Sequence, residues 1–188
     1  NHPRGVIFDG YENRLYQEET IDGIRVIRTW MYLTPNSGFA RRVVNYLGFA
    51  ATSIIASFKA DKPDLVIATS PQFFAGLAGA IVAKLKRRPF VLEIRDLWPK
   101  SVVELGQLGP GPILSTLEIL ERWLYHSAAG IVVNTRTFRQ HIMDRDVAEE
   151  NIELIYNGID PTMFKPREPD RELLAKHDLD AYFTVAYV

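Results

Sequence analysis

Four short groups of polar residues each follow an apolar run, and three of the four suit chemistry on a hydroxyl or an anion. They are Thr69-Ser70-Pro71, Arg95-Asp96, Asn134-Thr135 and Asn157-Gly158-Ile159-Asp160. Arg95-Asp96 is the most informative. A carboxylate beside a cation stays ionised near neutral pH and can accept a hydroxyl proton. The competing reading makes Asp96 the cap of the following turn, with Arg95 as its ion-pair partner. Ser70 and Thr135 are first of all candidate helix caps, a role worth about 1 kcal/mol. Helix starts that need a cap also attract phosphate, so the two roles are compatible. Asn157-Gly158 is a turn signal whose glycine suits a positive φ.

The missing chemistry narrows the choice. The 188 residues contain no cysteine, which excludes disulfides, zinc-thiolate sites and a cysteine nucleophile. His2, His126, His141 and His177 show no metal-binding spacing, so no metal is expected; His126 and His141 fall in helical segments and read as packing or surface residues. Glycine-rich dinucleotide and P-loop motifs are absent, as is the Gly-x-Ser-x-Gly elbow of hydrolases. Lys plus Arg is 22 against 23 Asp plus Glu, for a net charge of -1. That balance provides no broad basic field for nucleic acid. With 47% hydrophobic and 24% charged residues, the composition is that of a soluble globular protein. The uncharged stretch from Val43 to Phe58 has 16 residues, short of the roughly 20 needed to cross a bilayer.

The elements that must position these groups alternate along the chain. Asp22-Gly23 is a turn leading into a strand at Ile24 to Arg28, where apolar and basic residues alternate. From Phe39 to Phe58 the period becomes helical, with Phe39, Val43, Leu47, Ala50, Ile54 and Phe58 along one side. Strands are expected at Leu65 to Ala68, Phe90 to Ile94, Ala129 to Val133 and Ile152 to Ile155. Helices are expected at Phe74 to Lys86, Ile113 to His126 and Thr135 to Met143, and Arg95 to Pro112 reads mainly as loop. This alternation implies parallel strands joined by right-handed crossovers: an α/β, Rossmann-like, doubly wound sheet. Ligands of such sheets bind beyond the carboxyl ends of the strands, which is where the four polar groups fall. Residues 1–160 read as this domain. Residues 161–180 read as a proline-containing linker with a short helix at Asp170 to Asp178, and 181–188 as the first strand of a second α/β domain. Trp30, Tyr32, Phe39, Tyr46 and Phe49 cluster around Arg41-Arg42. A helix with basic flanks and aromatic residues suits a membrane interface, or it packs its aromatic residues on the sheet.

Arg95-Asp96-Leu97-Trp98-Pro99, then Ile131-Val132-Val133-Asn134-Thr135, then Ile155-Tyr156-Asn157-Gly158-Ile159-Asp160 with Phe164, resemble the family-4 retaining glycosyltransferases. The resemblance is greatest to the bacterial sugar transferases of O-antigen, capsule and colanic acid assembly, typified by the WbuB-like fucosamine transferases. The opening Asn1-His2-Pro3-Arg4-Gly5 with Gly10-Tyr11 is similar to a stretch that follows their second strand. The resemblance implies the two-domain GT-B fold, with this chain as the N-terminal acceptor domain. It also implies that the first strand, its glycine loop, the first helix, the second strand and most of the donor domain with its Glu-x7-Glu motif lie outside the chain. The fragment alone is therefore expected to be inactive and the full-length form to be a transferase.

By the same resemblance, Asp96 and Arg95 line the acceptor pocket as the catalytic pair, although many relatives carry a histidine where Arg95 stands. Glu93, Trp98, Ser70, Asn134, Thr135 and Asn157 are the implied substrate-binding residues. Phe39, Arg41, Arg42, Tyr46 and Phe49 are the implied membrane contacts. The implied reaction moves a sugar, with retention, from a nucleotide sugar of UDP type to a polyprenyl-diphosphate-linked saccharide. Retention by front-side attack lets the donor phosphate help remove the acceptor proton, so no dedicated base is required. No metal or further cofactor is expected, because helix N-termini and basic side chains can neutralise the departing diphosphate. The implied location is peripheral, on the cytoplasmic face of the bacterial plasma membrane, with no nucleic-acid partner. Two rivals share these residues: a UDP-sugar 2-epimerase-like enzyme and a non-catalytic sugar- or membrane-binding module.

Overall fold

The computed structural model describes residues 5–34, 38–179, 182, 183 and 185, and of Phe39 the backbone alone. The chain forms two compact units, Asn1–Tyr156 and Asn157–Val188.

The first unit opens with an antiparallel hairpin of β1 (Tyr16–Ile21) and β2 (Ile24–Thr29), in register from Tyr16↔Thr29 to Ile21↔Ile24. Its two-residue turn is Asp22-Gly23, with φ of 50° and 79°. Paired positive φ values match the right-handed twist of a hairpin, and Asp-Gly supplies them at low strain. The sequence pattern had not revealed β1, because Gln-Glu-Glu-Thr leaves almost no apolar alternation to detect. Polar pairs tie it instead: Arg25 meets Glu18 at 2.6 Å and Arg28 pairs with Glu19.

Helix α1 (Phe39–Ser57) follows, then β3 (Val66–Ser70), α2 (Phe73–Lys86) and β4 (Phe90–Ile94). A short helix, α3 (Lys100–Glu104), precedes α4 (Pro112–Ser127), β5 (Gly130–Val133), α5 (Arg136–Met143) and β6 (Ile152–Leu154). The strands form one parallel sheet in the order β3-β4-β5-β6. An α/β domain with a parallel sheet flanked by helices is therefore what the alternating pattern builds. Two segments depart from the sequence reading. Strand β3 starts at Val66 rather than Leu65, which stays 42% exposed. The expected loop from Arg95 to Pro112 contains α3, where Val102 is buried between flanking glycine and proline signals.

Period-two burial explains how the sheet meets the helices. Leu92, Ile94, Ile131, Val133 and Ile152 point to one face and are buried with Leu124 of α4 and Ile142 of α5. Helix α2 lies close on the same face. A Cβ at Gly79 would sit 2.5 Å from Ala68 Cβ, and one at Gly76 would sit 3.2 Å from Leu124. Alternate residues face the other way, and Ile67 there is 66% exposed.

A buried polar knot locks α4 to α5. Glu121 is fully buried; its Oε1 accepts from the Tyr125 hydroxyl at 3.0 Å and lies 3.1 Å from His141 Nε2. Arg145 Nε lies 3.1 Å from Glu121 Oε2, close enough for ion pairing though not aligned as a hydrogen bond. Burial and the neighbouring Glu121 charge push the Tyr125 phenol well above its ordinary value, so it remains a hydrogen-bond donor.

The second unit contains α6 (Arg171–Lys176), capped by Asp170 Oδ1, which accepts from Leu173 N at 3.0 Å. Asp160 accepts from the Thr162 backbone and hydroxyl, which holds its carboxyl below the usual carboxylate range. The strand expected at Phe183 to Val188 lies largely outside the described residues, as do Asn1 to Arg4.

Candidate functional site

The carboxyl ends of all four strands of the parallel sheet are flush. Ser70 pairs with Ile94 and Ile94 with Val133, while Val133 pairs with Leu154. The next residue on each strand is Pro71, Arg95, Asn134 or Ile155, so these four stand side by side at strand spacings of about 5 Å. Two further hydrogen bonds extend this edge, Arg95 N to Ser70 O and Ile155 N to Val133 O, both 2.8 Å.

Above the edge is a cavity of about 300 Å³. Asp96, Trp98 and Pro71 form its floor and side, Ser101 and Gln107 come from the α3 region, and Arg42 and Tyr46 come from α1. Trp98 is held rather than free. Its ring stacks on Phe73 at 6.0 Å and meets Phe74 edge-on at 6.0 Å, both at the start of α2. The indole therefore offers a fixed apolar wall. Asp96 Oδ2 accepts from Ser101 Oγ at 3.3 Å, which orients the carboxylate and leaves it further acceptor capacity. Arg42 donates to Gln107 and so ties α1 to the loop after α3. One carboxylate, one guanidinium and two aromatic rings in a small concave space suit a polar ligand with both hydroxyls and negative charge.

Several expected residues lie elsewhere. Arg95 is exposed, does not line the cavity and makes no ion pair with Asp96 among the described residues. Asp96 is thus tied to its turn through Ser101, not through Arg95. Glu93 pairs in register with Thr69 and Val132 and faces away from the buried side of β4. Ser70 is buried at the end of β3 and is not the cap of α2, whose N-cap is Gln72. The strand runs on to Ser70, so the capping position falls two residues later, at Gln72. Thr135 is the cap of α5: its Oγ1 accepts from Phe138 N at 3.1 Å. Beside it Asn134 Oδ1 is sealed from solvent with no partner among the described residues. Asn157 begins the second unit and is exposed.

The α1 residues expected at a membrane divide differently. Arg41 is exposed, but Arg42 and Tyr46 enter the cavity and Phe49 lines a separate groove. The side chain of Phe39 lies outside the described residues. The outward stripe of α1 is instead Val44, Leu47, Ala51 and Ile55, followed by Phe58, with Ile55 68% exposed. The sequence pattern missed Ser101 and Gln107, and it read Arg42 and Tyr46 as membrane contacts, whereas both line this cavity. Arg42 and Tyr46 carry no local signal, because the cavity residues outside α1 are more than 20 residues away in sequence, whereas Ser101 stands only five residues from its partner Asp96.

Among the described residues no group of three or more His, Cys, Asp or Glu stands close enough to hold a metal. No described helix is long and apolar enough to cross a membrane.

Comparison with known proteins places this geometry in context. Residues 4–158 match the model of the glycosyl transferase 4-like domain. A relative in Escherichia coli (strain K12), bearing the name colanic acid biosynthesis glycosyl transferase WcaI, is 23% identical over 156 residues, covering 80% of this chain. The aligned region spans 38% of that protein's length.

Proposed function

The chain belongs to the glycosyl transferase 4-like family, and from that premise we propose that it forms the acceptor-binding domain of a sugar transferase for a bacterial surface polysaccharide. The observation that carries this reading is the cavity at the carboxyl edge of the parallel sheet, with Asp96, Arg42, Tyr46 and Trp98 around it. The donor is a nucleotide sugar, of UDP type, bound by the second domain. The acceptor is a saccharide on polyprenyl diphosphate, and the linkage forms with retention, as in the WbuB-like enzymes.

Each wall of the cavity has a part in that reaction. Trp98 presents its face to the apolar side of a sugar ring, fixing the acceptor's tilt. Asp96 accepts a hydrogen bond from the acceptor hydroxyl and orients an oxygen lone pair toward the donor's anomeric carbon. A proton passing to the departing diphosphate leaves Asp96 as an orienting group rather than an obligatory base. Arg42 supplies positive charge for the acceptor's diphosphate. Arg95, on the rim, is available to the donor's phosphates once the second domain closes. The outward stripe of α1 rests on the cytoplasmic leaflet, with Arg41 toward anionic headgroups.

The test is sugar transfer by the complete protein, with labelled UDP-sugar and either a lipid-linked or a free oligosaccharide acceptor. Label appearing in the organic-extractable product supports the reading. Turnover of the nucleotide sugar to an epimer without any acceptor, or transfer only to free saccharides, overturns it.

A further inference from the structure

A second cavity, about 430 Å³ in volume, opens between the segment at residues 7–13, strand β2 and helix α1. Ile7, Phe8, Tyr11, Ile27, Met31 and Phe49 give it apolar walls. Four polar residues also line it, and every one is already engaged. Glu12 pairs with Arg14, and Arg28 pairs with Glu19 while covering the Tyr11 ring at 4.5 Å. Asn13 closes a two-way clamp on Met31, Nδ2 to its carbonyl at 2.9 Å and Oδ1 from its amide at 3.1 Å. Thr29 Oγ1 lies 3.2 Å from Thr52 Oγ1. The surface the groove offers a ligand is predominantly apolar, and Phe8 among its lining residues remains 59% exposed. A sugar would find few open partners here, whereas a hydrocarbon chain would find a wall.

The two cavities border one stripe of one helix. At 100° per residue, Arg42, Tyr46 and Phe49 fall within about 60° of each other. Tyr46 lines the charged cavity and Phe49 the apolar one, about 4.5 Å further along the axis. We propose that the groove holds the first isoprene units of the acceptor lipid, with Arg42 on the diphosphate between sugar and tail. The inference rests on the acceptor reading above and adds to it the place of the lipid. A carbon of the chain occupies ~30 Å³, as much as a water in the liquid. The groove therefore takes about two to three isoprene units, and the remainder of the chain returns to the bilayer.

Binding to the full chain is measured by calorimetry with inorganic pyrophosphate and with isopentenyl, geranyl, farnesyl and geranylgeranyl diphosphates. The expected result is affinity at least tenfold tighter for geranyl than for isopentenyl diphosphate, with no further gain from farnesyl to geranylgeranyl. Phe49→Asn should remove the dependence on tail length, with pyrophosphate as the reference within the variant. Phe8→Ser, at an exposed position, gives the same reading should Phe49→Asn fail to fold. Arg42→Gln should weaken pyrophosphate and all prenyl diphosphates alike by about tenfold. Affinity independent of tail length, or a gain that survives both Phe49→Asn and Phe8→Ser, overturns the groove assignment. If lipid-linked transfer by the complete protein persists in that case, the acceptor reading stands and the groove alone falls. If that transfer is also absent, the acceptor reading falls with it.

Discussion

Gly79→Ala tests the close approach on which the position of Trp98 depends. A Cβ at residue 79 would sit 2.5 Å from Ala68 Cβ and 3.2 Å from the Phe90 ring. Neither neighbour yields easily, because Ala68 is fixed to the backbone of β3 and Phe90 is 3% exposed at the start of β4. Helix α2 must therefore retreat by about 1 Å, and with neither neighbour able to give way the overpacking cost falls in the upper part of the usual range, about 2–3 kcal/mol. Replacing a mid-helix glycine returns about 1 kcal/mol of helix propensity. The net expectation is a loss of about 1–2 kcal/mol, or roughly 2–8 °C in Tm for a chain of this size. Phe73 and Phe74, six and five residues upstream, hold Trp98, so Trp98 fluorescence should shift as well. Urea unfolding and emission spectra measure both effects. Gly130→Ala, with nothing within 4 Å of its added Cβ, is the control and should lie within about 0.5 kcal/mol of the parent. A Gly79→Ala protein as stable as the parent, with unchanged emission, would refute the argument that this contact sets the helix position.

Other outcomes follow from the same structure. Glu121→Ala should cost about 3–5 kcal/mol in urea unfolding, because it leaves Arg145 and His141 without their buried acceptor; Glu121→Gln should cost less. Arg25 and Tyr16 hydrogen bonds hold the Glu18 carboxyl at about 2, below its ordinary 4.5. A depressed folded value means that its stabilisation of the hairpin is complete above pH 4.5 and is lost as pH falls toward 2. Amide exchange of β1 should therefore accelerate over that window, and Glu18→Gln should abolish the acid step. Thr135→Ala should lower stability by about 1 kcal/mol through the lost cap of α5. Leu47→Asp with Ile55→Asp should reduce co-sedimentation with anionic vesicles several-fold, and Arg41→Glu should act in the same direction; unchanged sedimentation would detach α1 from the membrane.

The fold was legible where periodicity reflects burial. Phe90 to Ile94 alternates in burial as it does in sequence, and α2 and α4 lie within one or two residues of where their apolar spacing puts them. Strand β1 was not legible, because cross-strand ion pairs hold it and leave no apolar rhythm. Helix α3 was hidden by the surrounding Gly and Pro, although Val102 still finds the core. At the candidate site, the rule that ligands bind past parallel strands led to Asp96, and the family resemblance added Trp98. The rule also drew in Arg95 and the resemblance Glu93, whose side chains alternate away from the cavity. Arg42 and Tyr46 were singled out for their charge and aromatic character but placed outward. The true outer stripe of α1 consists of Val44, Leu47 and Ile55, ordinary apolar residues that sequence reasoning assigns to a core. Which side of an amphipathic helix meets the sheet is decided by packing on α2 and Trp30, and no local spacing encodes it.

In the proposed function the cavity of Asp96 and Trp98, not the neighbouring Arg95, receives the acceptor sugar. The direct test is acceptor KM and kcat for the complete protein carrying Asp96→Asn, Trp98→Ala or Arg95→Ala, with donor concentration held saturating. The prediction is a tenfold or greater fall in kcat/KM for the acceptor with Asp96→Asn and Trp98→Ala, and an acceptor KM within twofold of the parent with Arg95→Ala. Parent-like acceptor kinetics in the first two variants, with the loss falling on Arg95→Ala, would contradict it.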